Sequence, residues 1–160
     1  MINIDTNFIH VGQIHVDRGS TRITTVLGSC VAVCLYDKRL CIGGMNHYLL
    51  PFWNGNGLQS LKFGNISIPK LIEAMLEQGS SIGNIEAKIF GGASIYFLNS
   101  NQNIMVGEKN ILVAKEILND YKIKIVAEDL GGNLGRKIQL NVENGKVLLK
   151  YTAKSDFGNK

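Results

Sequence analysis

Residues 27–51 read LGSCVAVCLYDKRLCIGGMNHYLLP, and this stretch decides the fold. Val31–Tyr36 is apolar at every position, the pattern of a strand covered on both faces. Asp37-Lys38-Arg39 supplies a short turn, and Cys41–Leu49 reads as the returning strand. Upstream, Gly12–Val16 and Arg22–Leu27 have strand character. Downstream, so do Glu86–Phe90, Ile123–Ala127, Lys137–Val142 and Lys146–Tyr151, the last two joined through Asn144-Gly145, the dipeptide of a type I′ hairpin turn. The pairs Gly43-Gly44, Gly91-Gly92 and Gly131-Gly132 each close an apolar run, where positive φ lets the chain turn sharply.

Two helices interrupt the strands. Pro69 suits a first helical turn, Leu71, Ile72, Met75 and Leu76 form a stripe, and Gly79 ends it. The second runs about Lys109–Tyr121, with Ile111, Ala114, Ile117, Leu118 and Tyr121 on one face. The order strands, helix, strand, helix, strands predicts a mixed sheet with helices packed on it. Pro51–Asn65 is a long loop of the kind that often carries function.

At 160 residues the chain suits one domain spanning 1–160, able to bury roughly 70% of its unfolded surface without metal or disulfide. An apolar share of 45% and a charged share of 19% exclude a disordered chain. Unbroken apolar runs hold about six residues against the about 20 of a span, so no membrane insertion is expected. The opening MINIDTNFIH lacks a cationic segment followed by an apolar run, which makes the cytoplasm the expected compartment. The net charge of +4 sits in the last quarter: residues 121–160 hold eight Lys/Arg against four Asp/Glu, while residues 1–120 hold nine of each. That bias suits an acidic protein partner better than nucleic acid, for which neither a dense basic run nor an aromatic RNA motif is present.

Cys30, Cys34 and Cys41 fall within twelve residues, and a cytosolic setting argues against a disulfide framework. Cys34 lies mid-strand and Cys41 opens the next strand, so both read as packing. Cys30 follows Leu27-Gly28-Ser29, where small residues admit a ligand to the backbone. Among the histidines, His10 and His15 are N-terminal, whereas His47 lies as far beyond the Asp37 turn as Cys30 lies before it. Antiparallel pairing brings these ends together as a thiol–imidazole pair. A zinc site on Cys30, Cys34, Cys41 and His47 lacks the paired knuckles of structural zinc, so no metal and no cofactor is expected. Thr24, six residues before Cys30, is the candidate for orienting the imidazole, with Thr25 on the opposite strand face.

The segments LGSCVAVCLYD (27–37) and GGMNHYLLP (43–51) resemble the signature of the chemoreceptor glutamine deamidases, the CheD family. EAKIFGGA (86–93), VGEKN (106–110) and AEDLGGNLGRK (127–137) continue the likeness. Lys109 and Leu134 stand where relatives often carry arginine, and Lys62-Phe63-Gly64 where an Arg-Tyr-Gly-like sequence is common. The resemblance implies catalytic Cys30, His47 and Thr24, with Ser29, Asn46 and Gly92 as oxyanion or substrate-pocket candidates. It implies hydrolysis of receptor glutamines to glutamate through a Cys30 thioester. The implied partners are cytoplasmic helices of methyl-accepting chemotaxis receptors and a CheC-type phosphatase, the free protein being a monomer. A regulator that mainly binds these partners is the other reading. The implied fold is α/β of the α+β type: mixed, largely antiparallel sheets in a layered sandwich with two helices outside, resembling cysteine-dependent toxin deamidases.

Overall fold

The computed structural model describes residues 4–94 and 101–152. Its strands are β1 (Asp5–Phe8), β2 (Ile14–Arg18), β3 (Thr21–Leu27), β4 (Val31–Asp37), β5 (Ile42–Asn46), β6 (Glu86–Gly91), β7 (Lys124–Leu130), β8 (Gly135–Asn141) and β9 (Val147–Thr152). The helices are α1 (Gly64–Glu77) and α2 (Asn101–Asp120). The strands form two mixed sheets, one ordered β1-β3-β8-β9 and the other β2-β5-β4-β6-β7. Pairing is antiparallel except for β1–β3 and β6–β7. The expected mixed α+β class with two main helices is what the chain adopts.

The apolar run of β4 feeds two cores. Val31, Val33 and Leu35 pack with Ile68, Leu71, Ile72 and Met75 of α1 and with Val113, Ala114 and Leu118 of α2. Cys30, Ala32 and Cys34 point the other way, into a cluster with Ile23, Leu27, Ile138 and Leu140 of the four-stranded sheet. Strand alternation alone sends successive residues to opposite faces. A strand between two cores is therefore apolar on both faces, as β4 is from Val31 to Tyr36, of which only Tyr36 is partly exposed.

Several expectations are corrected by packing. Gly43-Gly44 is not a turn: neither residue has positive φ, and both lie inside β5. A Cβ on Gly44 would come within 2.7 Å of Val16 Cγ2 and 3.0 Å of Leu71 Cδ1, so this glycine serves close approach of β2 and α1. Gly91, Gly92, Gly131 and Gly132 do adopt positive φ. Helix α1 begins at Gly64, ahead of Pro69, because Gly64 lets it meet Tyr48 and Val113, each 2.8 Å from where its Cβ would stand. Pro69 is then interior and gives up one backbone hydrogen bond. The buried stripe of α1 includes Ile68, while Leu76 is exposed.

Helix α2 starts earlier than expected, and its core face adds Asn110 and Val113 to the expected Ala114 and Leu118, with Ile111 and Ile117 partly buried against the same core and only Tyr121 of the expected face exposed. At the β8–β9 hairpin only Gly145 has positive φ, whereas a type I′ turn requires it at both central residues. The connection is longer, closed by Gly145 N–H to the Asn141 carbonyl at 2.7 Å and Asn141 N–H to the Lys146 carbonyl at 2.8 Å. β1 escaped sequence reading because DTNF carries no apolar alternation; pairing with β3 alone makes it a strand. No described helix is long and apolar enough to cross a membrane.

Candidate active site

The register of β4 against β5 places Cys34 opposite Met45 and Leu35 opposite Gly44, and it continues to a bridge between Val31 and Tyr48. Two hydrogen bonds close that bridge, Val31 N–H to the Tyr48 carbonyl at 3.2 Å and the reverse at 3.0 Å. Ala32 is therefore opposite His47, and Cys30 opposite Leu49. Cys30 and His47 share one strand face as diagonal neighbours, with backbones about 7 Å apart, not directly side by side. That face is turned toward the four-stranded sheet, and both residues are buried, Cys30 at 9% and His47 at 5% exposure.

The imidazole is held by Thr25, not Thr24. His47 Nδ1 lies 2.7 Å from Thr25 Oγ1, and that hydroxyl donates its own proton to the Ile9 carbonyl at 2.8 Å. A hydroxyl has one proton to give. Thr25 must therefore accept from His47, so Nδ1 carries the hydrogen and Nε2 keeps a bare lone pair. Nε2 is buried and has no hydrogen-bond partner among the described residues. Thr24 Oγ1 instead donates to the Ile138 carbonyl of β8 at 2.7 Å. Alternation along β3 sends Ile23, Thr25 and Leu27 to the face that carries His47 and Thr24 to the opposite face, where it too is buried. The main chain of His47 is fixed as well, accepting from Gly12 N–H at 2.8 Å and donating to the Gln13 carbonyl at 3.2 Å.

The turn before β4 is tied down by its carbonyls. Those of Gly28, Ser29 and Cys30 accept from Ala93 N–H (3.0 Å), Asn110 Nδ2 (3.1 Å) and Gly92 N–H (2.9 Å). With the carbonyls so engaged, the N–H groups of Ser29 and Cys30 donate to no described backbone carbonyl. The pocket candidates thus separate. Ser29 immediately precedes Cys30, and its N–H donates to no described backbone carbonyl. Gly92 has spent its N–H on Cys30, so it braces the turn instead of receiving an oxyanion. Asn46 points to the helix side, where its Oδ1 accepts from Val33 N–H at 2.7 Å, and it does not reach the Cys30–His47 face.

Gly91, expected from the sequence to turn the chain and to allow close backbone approach, packs directly against the Cys30 turn. A Cβ at its φ of +109° would stand 2.2 Å from the Cys30 carbonyl oxygen. Buried Arg136 braces the same turns, its guanidinium reaching the Gly131 carbonyl at 2.8 Å and Asp129 at 2.7 Å.

Burial disfavours the charged forms of both side chains. It pushes the Cys30 thiol up to about 11, opposed by a hydrogen bond from its own backbone. It pushes His47 down to about 4, helped by the nearby charge of His10. The other two cysteines lie away from His47. Cys34 is 2% exposed and lines a cavity of about 110 Å³ with Tyr36 and Lys88. Cys41 stands in the β4–β5 turn with Sγ near the Lys38 carbonyl.

A family model described as CheD chemotactic sensory transduction matches residues 49–151. The chain is 54% identical over 153 residues to a Sulfurimonas denitrificans protein named "Probable chemoreceptor glutamine deamidase CheD", covering 96% of this chain and 98% of that one. A Trichlorobacter lovleyi protein of the same name is 48% identical over 142 residues, covering 89% and 88%. One in Archaeoglobus fulgidus is 38% identical over 145 residues, covering 90% and 92%. Among solved structures, the Bacillus licheniformis hypothetical protein YfiH aligns with a TM-score of 0.47 at 18% identity, over 72% of this chain and 49% of that one. The family model begins beyond Cys30 and His47, but the first relative spans nearly the whole chain, and on that match the chain belongs to the CheD family.

Proposed function

We propose that this protein is a single-domain deamidase that hydrolyses glutamine side chains on cytoplasmic helices of chemotaxis receptors to glutamate, with Cys30 as nucleophile. The observation that carries this reading is the Thr25–His47 bond, which leaves a bare imidazole nitrogen on the strand face that bears Cys30. With the thiol at about 11 and the imidazole at about 4, a separated thiolate–imidazolium pair lies on the order of 10 kcal/mol above the neutral pair, before their attraction is counted. The proton therefore leaves as sulfur attacks, so that charge builds on the amide oxygen and not on a resting thiolate.

The C–S bond forms, the carbonyl π pair moves to oxygen, and the Cys30 proton passes to His47 Nε2. The N–H groups of Ser29 and Cys30 receive the oxyanion, each such donor being worth roughly 3 kcal/mol. Collapse expels ammonia, which takes the proton from His47, and leaves a thioester. Water then adds to the thioester carbon, giving a proton to His47; collapse breaks the C–S bond, the sulfur of Cys30 takes that proton back, and the released acid ionises to glutamate. No step calls on a cofactor.

Receptor helices and a CheC-type phosphatase belong to the same proposal as partners of a free monomer. A groove of about 400 Å³ beside the His47 main chain, lined by Phe8, Ile9, Gln13 and Leu61, supports docking next to the site. The stacking of two sheets with helices on one side supports a layered sandwich, the arrangement proposed to be shared with toxin deamidases. The test is ammonia release from a purified receptor cytoplasmic fragment, with the modified glutamine located by peptide mass spectrometry. Absence of any glutamine-to-glutamate conversion by folded protein would sink the reading.

The two threonines provide a sharper check. T25V leaves the buried Nδ1–H unpaired and the imidazole free to rotate, and should lower kcat about 30-fold, or roughly 2 kcal/mol. T24V loses only a bond to β8 and should stay within about threefold of wild type. Larger loss in T24V would reassign the orienting role.

A further inference from the structure

We propose that Asn110 of α2 is a positioning residue of the reaction, a clamp that holds the strand ends carrying Cys30 and His47 in one alignment. The inference rests on the deamidase reading above. Asn110 Nδ2 donates to two carbonyls at once, that of Ser29 at 3.1 Å and that of Leu49 at 2.9 Å. Ser29 immediately precedes the nucleophile. Leu49 stands two residues past the base, opposite Cys30 in the strand register. One amide nitrogen thus bridges the two chains just past the last bridge of the ladder, where no further strand pairing joins them.

Three features make this more than a filled space. Both contacts are to carbonyl oxygens, which only accept, so the amide has a single permitted orientation. Asn110 is fully buried, and its Oδ1 has no partner among the described residues. The site therefore tolerates an orphaned acceptor in order to keep both donors in place. Tyr48, between His47 and Leu49, closes the link from the other side by donating its hydroxyl to the Asn110 main-chain carbonyl at 2.5 Å.

Cys30 and His47 are diagonal neighbours, so productive proton transfer depends on a small offset between their strands. Misplacement by about 1 Å can cost about 100-fold in rate. The clamp sets that offset.

The experiment compares wild type, N110S and L118A as full chains. A serine hydroxyl donates to one carbonyl only, and Leu118, buried on the same helix, controls for loss of packing. At a temperature where all three are folded by circular dichroism, N110S should lower kcat for receptor-fragment deamidation about 30- to 100-fold with KM within about threefold. L118A should keep kcat within about threefold. Iodoacetamide labelling followed by mass spectrometry should show Cys30 of N110S reacting at least about fivefold faster than in wild type, with Cys34 unchanged.

Retained kcat in N110S, equal losses in N110S and L118A, or parallel acceleration at Cys30 and Cys34 would each overturn the proposal. N110T is measured in the same way should N110S fail to fold. If wild type itself releases no ammonia, the deamidase reading fails, and the labelling arm still decides whether Asn110 holds the Cys30 turn.

Discussion

C30A is expected to release ammonia from a receptor fragment at least about 1000-fold more slowly than wild type, while C34A stays within about threefold. The two thiols lie on one strand face, separated by about 13 Å of extended chain, and they answer to different surroundings. Cys30 stands at the N–H groups of its own turn and shares its face with the bare nitrogen of His47. Cys34 lies deeper in the strand, where burial pushes it up to about 12 against the opposing charge of Lys88. A shift in that direction leaves it a packing group. Thermal melts of both variants separate chemistry from folding. Comparable loss in C34A with an unchanged melt would mean that the nucleophile had been assigned to the wrong sulfur.

Sequence and structure agree most where one residue run must satisfy two cores. Val31–Tyr36 could be read as a doubly covered strand because no other arrangement hides six successive apolar side chains so economically. Counting across the Asp37 turn sets His47 level with Cys30, whereas the register is displaced by two residues because the connection through Cys41 takes up more chain than a tight hairpin. The result is a diagonal pair on the correct face. Spacing from Cys30 pointed to Thr24, but Ile23 and Leu27 already marked the inward face of β3, and alternation from them reaches Thr25. Asn46 follows the same rule in reverse: one position from His47, it must face away from it.

Asn110 was the least legible residue. The i, i+3, i+4, i+7, i+8 set of Asn110, Val113, Ala114, Ile117 and Leu118 contains it, yet an apolar stripe beginning at Ile111 reads equally well in one dimension. Only the place where α2 crosses the strand ends chooses between those faces. The same limit hid Gly91's packing against Cys30: a Cβ there would stand 2.2 Å from the carbonyl oxygen of a residue sixty-one positions away in sequence.

H47A is expected to lower kcat about 1000-fold while leaving the affinity for the receptor fragment within about threefold, because a general base acts in the transition state and a side chain only 5% exposed offers little area for binding. The buried imidazole also predicts how the protein answers acid. Held at about 4 against 6.5 in an open chain, it refuses in the folded state a proton that the unfolded state accepts. Its contribution is therefore intact above 6.5 and is lost as pH falls from 6.5 toward 4, reaching about 3 kcal/mol at the lower end. Urea denaturation at about pH 7.5 and about pH 4 isolates it: the stability advantage of wild type over H47A should shrink by about 3 kcal/mol between the two. The same shift moves the acid limb of kcat/KM for the free enzyme down toward 4, so activity should be flat across the range where an ordinary histidine titrates. An acid limb centred near 6.5, with no pH-dependent change in the stability gap, would show an imidazole already open to water, and the neutral resting pair on which concerted attack depends would not exist.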